Sequence, residues 1–120
     1  MFDFEKLDVY RLALEFYSDI AKLIDKLPKN EYAIIDQLKR AALSIPLNIA
    51  EGSGRTHDNE KRQFTFIARG SAFECVPILS LLERQNAVNQ EVHAALREKL
   101  IRLVQMLTKL GQSFSRDRET

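Results

Sequence analysis

Apolar side chains recur every three or four residues along four stretches of this 120-residue chain, a spacing that places them on one side of an α-helix. Only four glycines and three prolines interrupt the chain, so the breaks between the stretches are short. Four amphipathic helices joined by short turns are typical of an all-α, antiparallel, up-down-up-down four-helix bundle. A chain of this length builds one core, which predicts a single domain. The predicted bounds are residues 1–120 for the domain, about 4–27, 31–51, 57–84 and 90–110 for the helices, and 112–120 for a frayed polar tail.

The second predicted helix contains QLKRAALSIPLNIAEGSG, residues 37–54, and carries apolar side chains on two sides. One of these sides faces the predicted core. Leu43 and Leu47 lie four residues apart on the opposite side, where a monomer with a single core has no use for them. We therefore predict a second contact surface on this helix, with Leu43 and Leu47 as candidate oligomer-interface residues.

A narrow polar stripe lies between the two apolar sides of the same helix. Its members, at spacings of four, four and three residues, are Arg40, Ser44, Asn48 and Glu51. Such a stripe could be catalytic or bind a ligand. The favoured alternative is a half-buried seam, in which Arg40 pairs across helices with Glu51 or another carboxylate, and Ser44 and Asn48 bond to backbone or neighbouring groups. Pro46 has no N–H to donate, which predicts a kink near this stripe.

The third predicted helix also has two apolar sides. Phe66 and Phe73 lie opposite its core positions and are flanked by Arg62 and Arg69. Aromatic and arginine side chains together can form an oligomer interface or can stack on nucleotide bases. We interpret Phe66 and Phe73 as interface residues, and we expect Gly70 to permit a close helix approach. The predicted core positions are Phe64, Ile67, Ala68, Ser71, Cys75, Ile78, Leu79 and Leu82.

The formal net charge is only +1, but residues 84–120 carry seven basic and four acidic side chains, a local charge of +3. Lys99, Arg102 and Lys109 fall on one side of the fourth predicted helix and form a basic ridge. A solvated helix face is the simpler interpretation of this ridge, and a phosphate-contacting surface is the alternative. The candidate nucleic-acid contacts are Arg62, Arg69, Lys99, Arg102 and Lys109.

The sequence shows no pattern that predicts catalysis, a cofactor or a metal site. His57 and His93 lie in different segments, and neither belongs to a Glu-x-x-His or HExxH motif. The loop that contains Gly52 and Gly54 lacks the order of a phosphate-binding loop and follows a helix instead of a strand. We predict neither an enzyme nor a small-molecule ligand.

Cellular location is predicted from three further features. The acidic start of the chain lacks the basic and apolar segments of a secretory signal, and no apolar run reaches the length of a bilayer span. Cys75 is the single cysteine and cannot form an internal disulfide. These features predict a cytoplasmic protein without a membrane partner.

Two segments carry a resemblance to a known family. QLKRAALSIPLNIAEGSGR at residues 37–55, followed by FTFIARGSAFE at residues 64–74, resembles the four-helix bundle proteins encoded within intervening sequences of bacterial 23S rRNA genes. The resemblance implies a bundle similar in fold to accessory proteins of diversity-generating retroelements, which assemble as pentamers and bind nucleic acid. We therefore expect a non-enzymatic homo-oligomer, a pentamer by resemblance. The alternative is a binding module that associates with RNA or the ribosome through a basic surface.

Overall fold

A computed structural model describes residues 1–116, with side chains described through Phe114. The fold is all-α, as the sequence predicts, and the described residues contain four long helices and no strand. Two short 3-10 turns, at Asp3–Lys6 and Lys29–Glu31, precede the first and second helices. The helices are α1 at Asp8–Ile24, α2 at Tyr32–Ser53, α3 at Asp58–Arg84 and α4 at Gln90–Arg116.

The helices form a bundle in which each packs against two others. α3 packs against α2 and α4, and α1 closes the bundle by packing against the same two helices. Contacts between α2 and α3 pair Gln37 with Glu74 and Ser44 with Ser71, so the residue numbers rise on one helix as they fall on the other. The same reversal relates α3 to α4 and α1 to α4, and neighbouring helices are therefore antiparallel.

The core lies along the bundle axis and is built from the predicted helical stripes. Its largest fully buried side chains include Phe16, Leu38, Ile45, Leu79 and Leu103. Full burial of each such side chain is worth about 1.5–3 kcal/mol, so the shared core holds the four helices in place.

The predicted bounds of α1 and α4 need correction. α1 begins at Asp8 because Leu7 adopts an extended conformation while its side chain packs against the core. Its last turn tightens into 3-10 hydrogen bonds from Lys26 and Leu27, so the α-helix ends at Ile24. α4 continues through Gly111 to Arg116, which contradicts the frayed tail over residues 112–116; residues 117–120 lie outside the described part of the chain.

One predicted core residue of α3 is exposed, and one glycine differs from expectation. Ile67 is 43% exposed on α3, where Thr65 and Ala72 are buried instead. Val92 is also exposed, because the first turn of α4 lies at the end of the bundle beside an open cavity. Gly70 permits no close approach within the chain, since a Cβ added there would meet no atom within 4 Å.

α3 is long and apolar enough to cross a membrane by length and composition alone, with a mean hydropathy of 1.3 over its most apolar stretch. The sequence-based expectation that no run approaches that length is therefore wrong for α3. Its apolar content has a direct explanation in the bundle, because Ala68, Cys75, Leu79 and Leu82 lie in the core. Core helices of bundles pass the same test.

Candidate assembly surface

The outward side of α3 is apolar. Phe66, Gly70, Phe73 and Pro77, which we call the α3 stripe, lie within a narrow sector of the helix opposite the buried Ala68 and Cys75. All four residues are exposed, and Phe73 keeps 49% of its surface accessible. Charged residues normally occupy such a solvent-facing sector, so its composition is typical of a contact surface.

A groove runs beside the α3 stripe, between α3 and α4. It encloses about 230 Å³ and is largely apolar. Ile101, on the α4 side, is 48% exposed and lies across the groove from Phe73. We call this set the α3–α4 groove, and its lining residues are Phe73, Val76, Arg97, Leu100, Ile101, Val104 and Gln105.

Specific contacts hold the aromatic side chains of the α3 stripe in position. Arg69 donates a hydrogen bond from Nε to Thr108 Oγ1 at 2.8 Å, and its guanidinium carbon lies 4.8 Å from the centre of the Phe73 ring. The Phe66 ring packs directly on the α4 backbone at Gly111, where an added Cβ would come within 2.7 Å of the ring. Gly111 therefore allows Phe66 to lie against α4, and it does not end the helix.

A second exposed apolar surface lies on α2. Leu43 and Leu47, which we call the α2 ridge, are 39% and 57% exposed. They lie opposite the buried Ile45 and Ile49, so they point away from the core. The structure thus places Leu43 and Leu47 on one side of the bundle and brings Phe66 and Phe73 together at another.

The predicted polar stripe on α2 divides into two parts. Ser44 and Asn48 lie between α2 and α3: Asn48 donates from Nδ2 to Ser44 Oγ at 2.9 Å, and Ser71 donates to the same oxygen at 2.8 Å. We call Ser44, Asn48 and Ser71 the α2–α3 seam. Asn48 also donates to the Ser44 carbonyl at 2.8 Å, close to Pro46, and α2 continues through that proline.

Arg40 and Glu51 do not pair across helices as predicted. Arg40 pairs with Asp36 at 3.0 Å and Glu51 pairs with Arg55 at 2.6 Å, each one turn away along the chain. Both side chains point outward from α2, so an opposite charge four residues away is closer to them than any charge on another helix. Both pairs are exposed, and such pairs add about 0–1 kcal/mol to stability.

The predicted basic ridge on α4 is not continuous. Lys99 turns toward α1, where its Nζ pairs with Asp19 and lies 2.9 Å from Glu15. The hydrogen bond with Asp19 is the main cause that raises the pKa of Lys99, and Glu15 adds to it. Lys99 therefore ties α4 to α1, while Arg102 and Lys109 remain exposed. Arg62 and Arg69 lie on α3, where Arg62 bonds to Asn59 at 3.1 Å.

No group of three or more His, Cys, Asp or Glu side chains among the described residues could hold a metal ion. Burial raises the pKa of the Cys75 thiol to about 12, so the thiol stays protonated and is a poor nucleophile. A cavity of about 390 Å³ lies between the end of α1 and the start of α4, with Lys22 and Lys26 among its lining residues.

Sequence reasoning missed several residues of this surface. Ile101 and Arg97 lie on the outward side of α4 at a spacing of four, which could have identified the other wall of the groove. The packing of the Phe66 ring on Gly111 could not be found from the sequence, because helical periodicity does not show which ring of another helix lies on a glycine.

This arrangement defines a class of protein: a four-helix bundle that carries exposed apolar surfaces in addition to its buried core. Residues 5–109 match the family described as 23S rRNA-intervening sequence protein. The chain belongs to that family, and the resemblance predicted from residues 37–55 and 64–74 is confirmed. No curated protein matches the chain.

A solved structure supports the fold. The chain is similar to a protein with unknown function from the S23 ribosomal protein family of Bacteroides thetaiotaomicron VPI-5482, determined as a crystal structure at 1.70 Å resolution. The two are 25% identical with a TM-score of 0.78, and the match covers 85% of this chain and 96% of that chain. Because that protein has no known function, the similarity supports the bundle and the family and assigns no activity.

Proposed function

We propose that this protein acts as a non-enzymatic, homo-oligomeric assembly module of the cytoplasm. The observation that carries the proposal is the α3 stripe, an exposed apolar sector bordered by the α3–α4 groove. Isolated exposed apolar residues are ordinary on a protein surface, but clustered ones mark contact sites. The α2 ridge adds a second such cluster.

Association would bury the most exposed of these side chains. Full burial of a Leu or Phe side chain is worth about 1.5–3 kcal/mol, and each 1.4 kcal/mol changes a dissociation constant about tenfold. Phe73, Ile101 and Leu47 are each about half exposed, so together they can supply a large part of the association free energy. A pentamer is the state that the family resemblance implies.

Light scattering coupled to size exclusion tests the proposal on the full chain at micromolar concentration. We expect a mass that is a multiple of 13.8 kDa, with five copies as the specific expectation. Phe73→Glu should weaken association more than tenfold, whereas Leu14→Glu, at a similarly exposed leucine on α1, should leave it unchanged. A wild-type monomer would contradict the proposal.

RNA binding is the second candidate function. It is supported by the exposed side chains of Arg102 and Lys109 and by the Arg69 guanidinium stacked on the exposed Phe73 ring. Phosphate contacts from α4 would make binding strongly dependent on salt. Structured RNA should bind at low salt and be released by the double change Arg102→Glu and Lys109→Glu. The double change Lys29→Glu and Lys39→Glu, at exposed positions outside α4, serves as the charge-matched control. Absence of binding at low salt would rule this candidate out.

A further inference from the structure

We propose that the cavity between α1 and α4 binds an organic anion with an apolar body, of the chemical class of medium-chain carboxylates. We call it the α1–α4 cavity, and its volume is about 390 Å³. It lies away from the α3 stripe, so the inference does not depend on the proposed homo-oligomer. The lining residues on which the proposal rests are Lys22, Leu23, Lys26, Val92, Ala95 and Leu96.

The two helices that form this cavity line it with unlike side chains. Lys22 and Lys26 lie one turn apart on α1. The α4 residues that line the cavity are all apolar, namely Val92, Ala95 and Leu96. Neither lysine has an ion-pair or hydrogen-bond partner among the described residues. The chain therefore leaves two ammonium groups beside an apolar wall without a carboxylate of its own to meet them.

The next turn of the same helix pair is matched in charge. There Lys99 Nζ pairs with Asp19 and lies 2.9 Å from Glu15. Asp19 is the one carboxylate that lines the cavity, and Lys99 already neutralises it. The remaining charge at the cavity is positive and lies on Lys22 and Lys26, which favours an anion as the ligand.

The size and the apolar lining of the cavity suit an alkyl chain. Small-molecule sites have volumes of about 300–1,000 Å³, and this cavity falls within that range. Val88 and Leu96 are buried where they line it, Leu23 is half-buried, and Val92 keeps 38% of its surface exposed. An alkyl chain in the cavity would remove this apolar surface from water.

Both parts of the ligand are needed for this fit. An inorganic anion would meet the two exposed lysines and leave the apolar wall in water, and exposed ion pairs alone are weak. A neutral apolar molecule would cover the wall and gain nothing from the lysines. Helical periodicity does not reveal the site, and the sequence predicts no small-molecule ligand, because the two walls lie far apart along the chain.

NMR titration of the full chain with octanoate at low salt tests the proposal, with 1-octanol and acetate as the matched neutral and short ligands. We expect saturable octanoate binding that shifts the amide signals of Leu23, Val88 and Val92. The neutral alcohol should bind about three- to tenfold more weakly, and acetate more weakly still. Absence of saturable shifts at these amides, or equal affinities for octanoate and 1-octanol, would overturn the proposal.

Two variants separate the charged part of the site from the apolar part. The double change Lys22→Gln and Lys26→Gln should lower the affinity for octanoate to that for 1-octanol. Lys6→Gln with Lys39→Gln, at exposed lysines outside the cavity, is the matched control and should change neither affinity.

Ala95→Phe places a ring in the cavity while it keeps both lysines, and it should abolish binding of both octanoate and 1-octanol. Ala95 is exposed, so the bundle should fold with the larger side chain, which circular dichroism checks; Ala95→Leu replaces it if it does not fold. Wild-type affinity for octanoate in either the folded double variant or the folded Ala95 variant would overturn the assignment of the site.

Discussion

The two sides of α3 meet their neighbours in different ways. Toward α2, Ser71 donates to Ser44, and Gln37 donates to Glu74 at 3.1 Å, so polar groups are matched between the helices. Toward α4, a hydrogen bond from Arg69 to Thr108 accompanies an apolar groove that the described residues leave open. Matched polar groups fix the register of two helices, whereas an unfilled apolar groove has affinity left for another surface.

This difference separates residues that stabilise the bundle from those that we assign to association. Helix α3 contributes residues to both groups, because its core side and its α2 side pack within the chain while the α3 stripe stays exposed. Substitutions on the two sides should therefore change different measured quantities.

The largest effect is expected from a pair of residues on α4. Leu103 is fully buried, and Leu103→Ala should lower the free energy of unfolding by about 2–5 kcal/mol through lost burial and the cavity left behind. Ile101, two residues away, is 48% exposed, so Ile101→Ala should change the unfolding of the dissociated chain much less and weaken association instead. Urea unfolding at several protein concentrations separates the two effects. If both variants lose the same free energy of unfolding at high dilution, the residues of the groove belong to the core.

Two helical glycines provide the next comparison. A Cβ at Gly52 would lie 3.0 Å from Phe64 Cβ and 3.3 Å from the Lys61 carbonyl oxygen, both close to the α3 backbone. Gly52→Ala should therefore push α2 from α3 and lower the unfolding free energy by about 1–3 kcal/mol, the usual range for overpacking. A Cβ at Gly70 would lie in open space, so Gly70→Ala should raise the unfolding free energy of the dissociated chain by about 0.5–1 kcal/mol. Thermal unfolding under identical conditions checks whether stability falls in Gly52→Ala and rises in Gly70→Ala. A gain in stability for Gly52→Ala would show that α3 can shift at this position.

The sequence predicts the bundle well because a core position depends mainly on helical periodicity within one segment. It predicts contacts between helices less well. Arg40 and Lys99 show why: the pattern places both on polar sides, but whether each finds a partner on its own helix or on another depends on side-chain reach and helix rotation. Ile67 is exposed for the same reason, since a small rotation of α3 buries Ala72 instead. The α2 ridge and the aromatic residues of the α3 stripe were identifiable, because they lie opposite the core on long helices.

Alkaline pH tests the core side of α3. The Cys75 thiol has an ordinary pKa of 9.0 when the chain is unfolded, and burial raises this pKa to about 12 in the fold. Above pH 9.0 the unfolded chain releases a proton that the folded chain retains, so stability is lost as pH rises, by at most about 1.4 kcal/mol per pH unit. The raised pKa of Lys99 causes a further loss of stability, but only above pH 10.5, the ordinary pKa of its amine.

Urea unfolding between about pH 9 and 10.5 therefore isolates the thiol. Cys75→Ala should show a flatter decline than the wild type over this range, whatever its stability at neutral pH. Identical slopes for the two proteins would mean that the thiol does not titrate on unfolding.

The smallest effect is expected at the α2–α3 seam. Ser71→Ala removes a hydroxyl whose single hydrogen can be donated either to Ser44 Oγ or to the Ile67 carbonyl, and it should lower the unfolding free energy by about 1 kcal/mol. Ser18→Ala, at an exposed serine on α1, is the matched control. Hydrogen exchange should show faster opening of amides along α2 and α3, while association through the groove should keep its affinity. A parallel loss of association would show that the seam sets the rotation of α3, so that the two sides of this helix do not act independently.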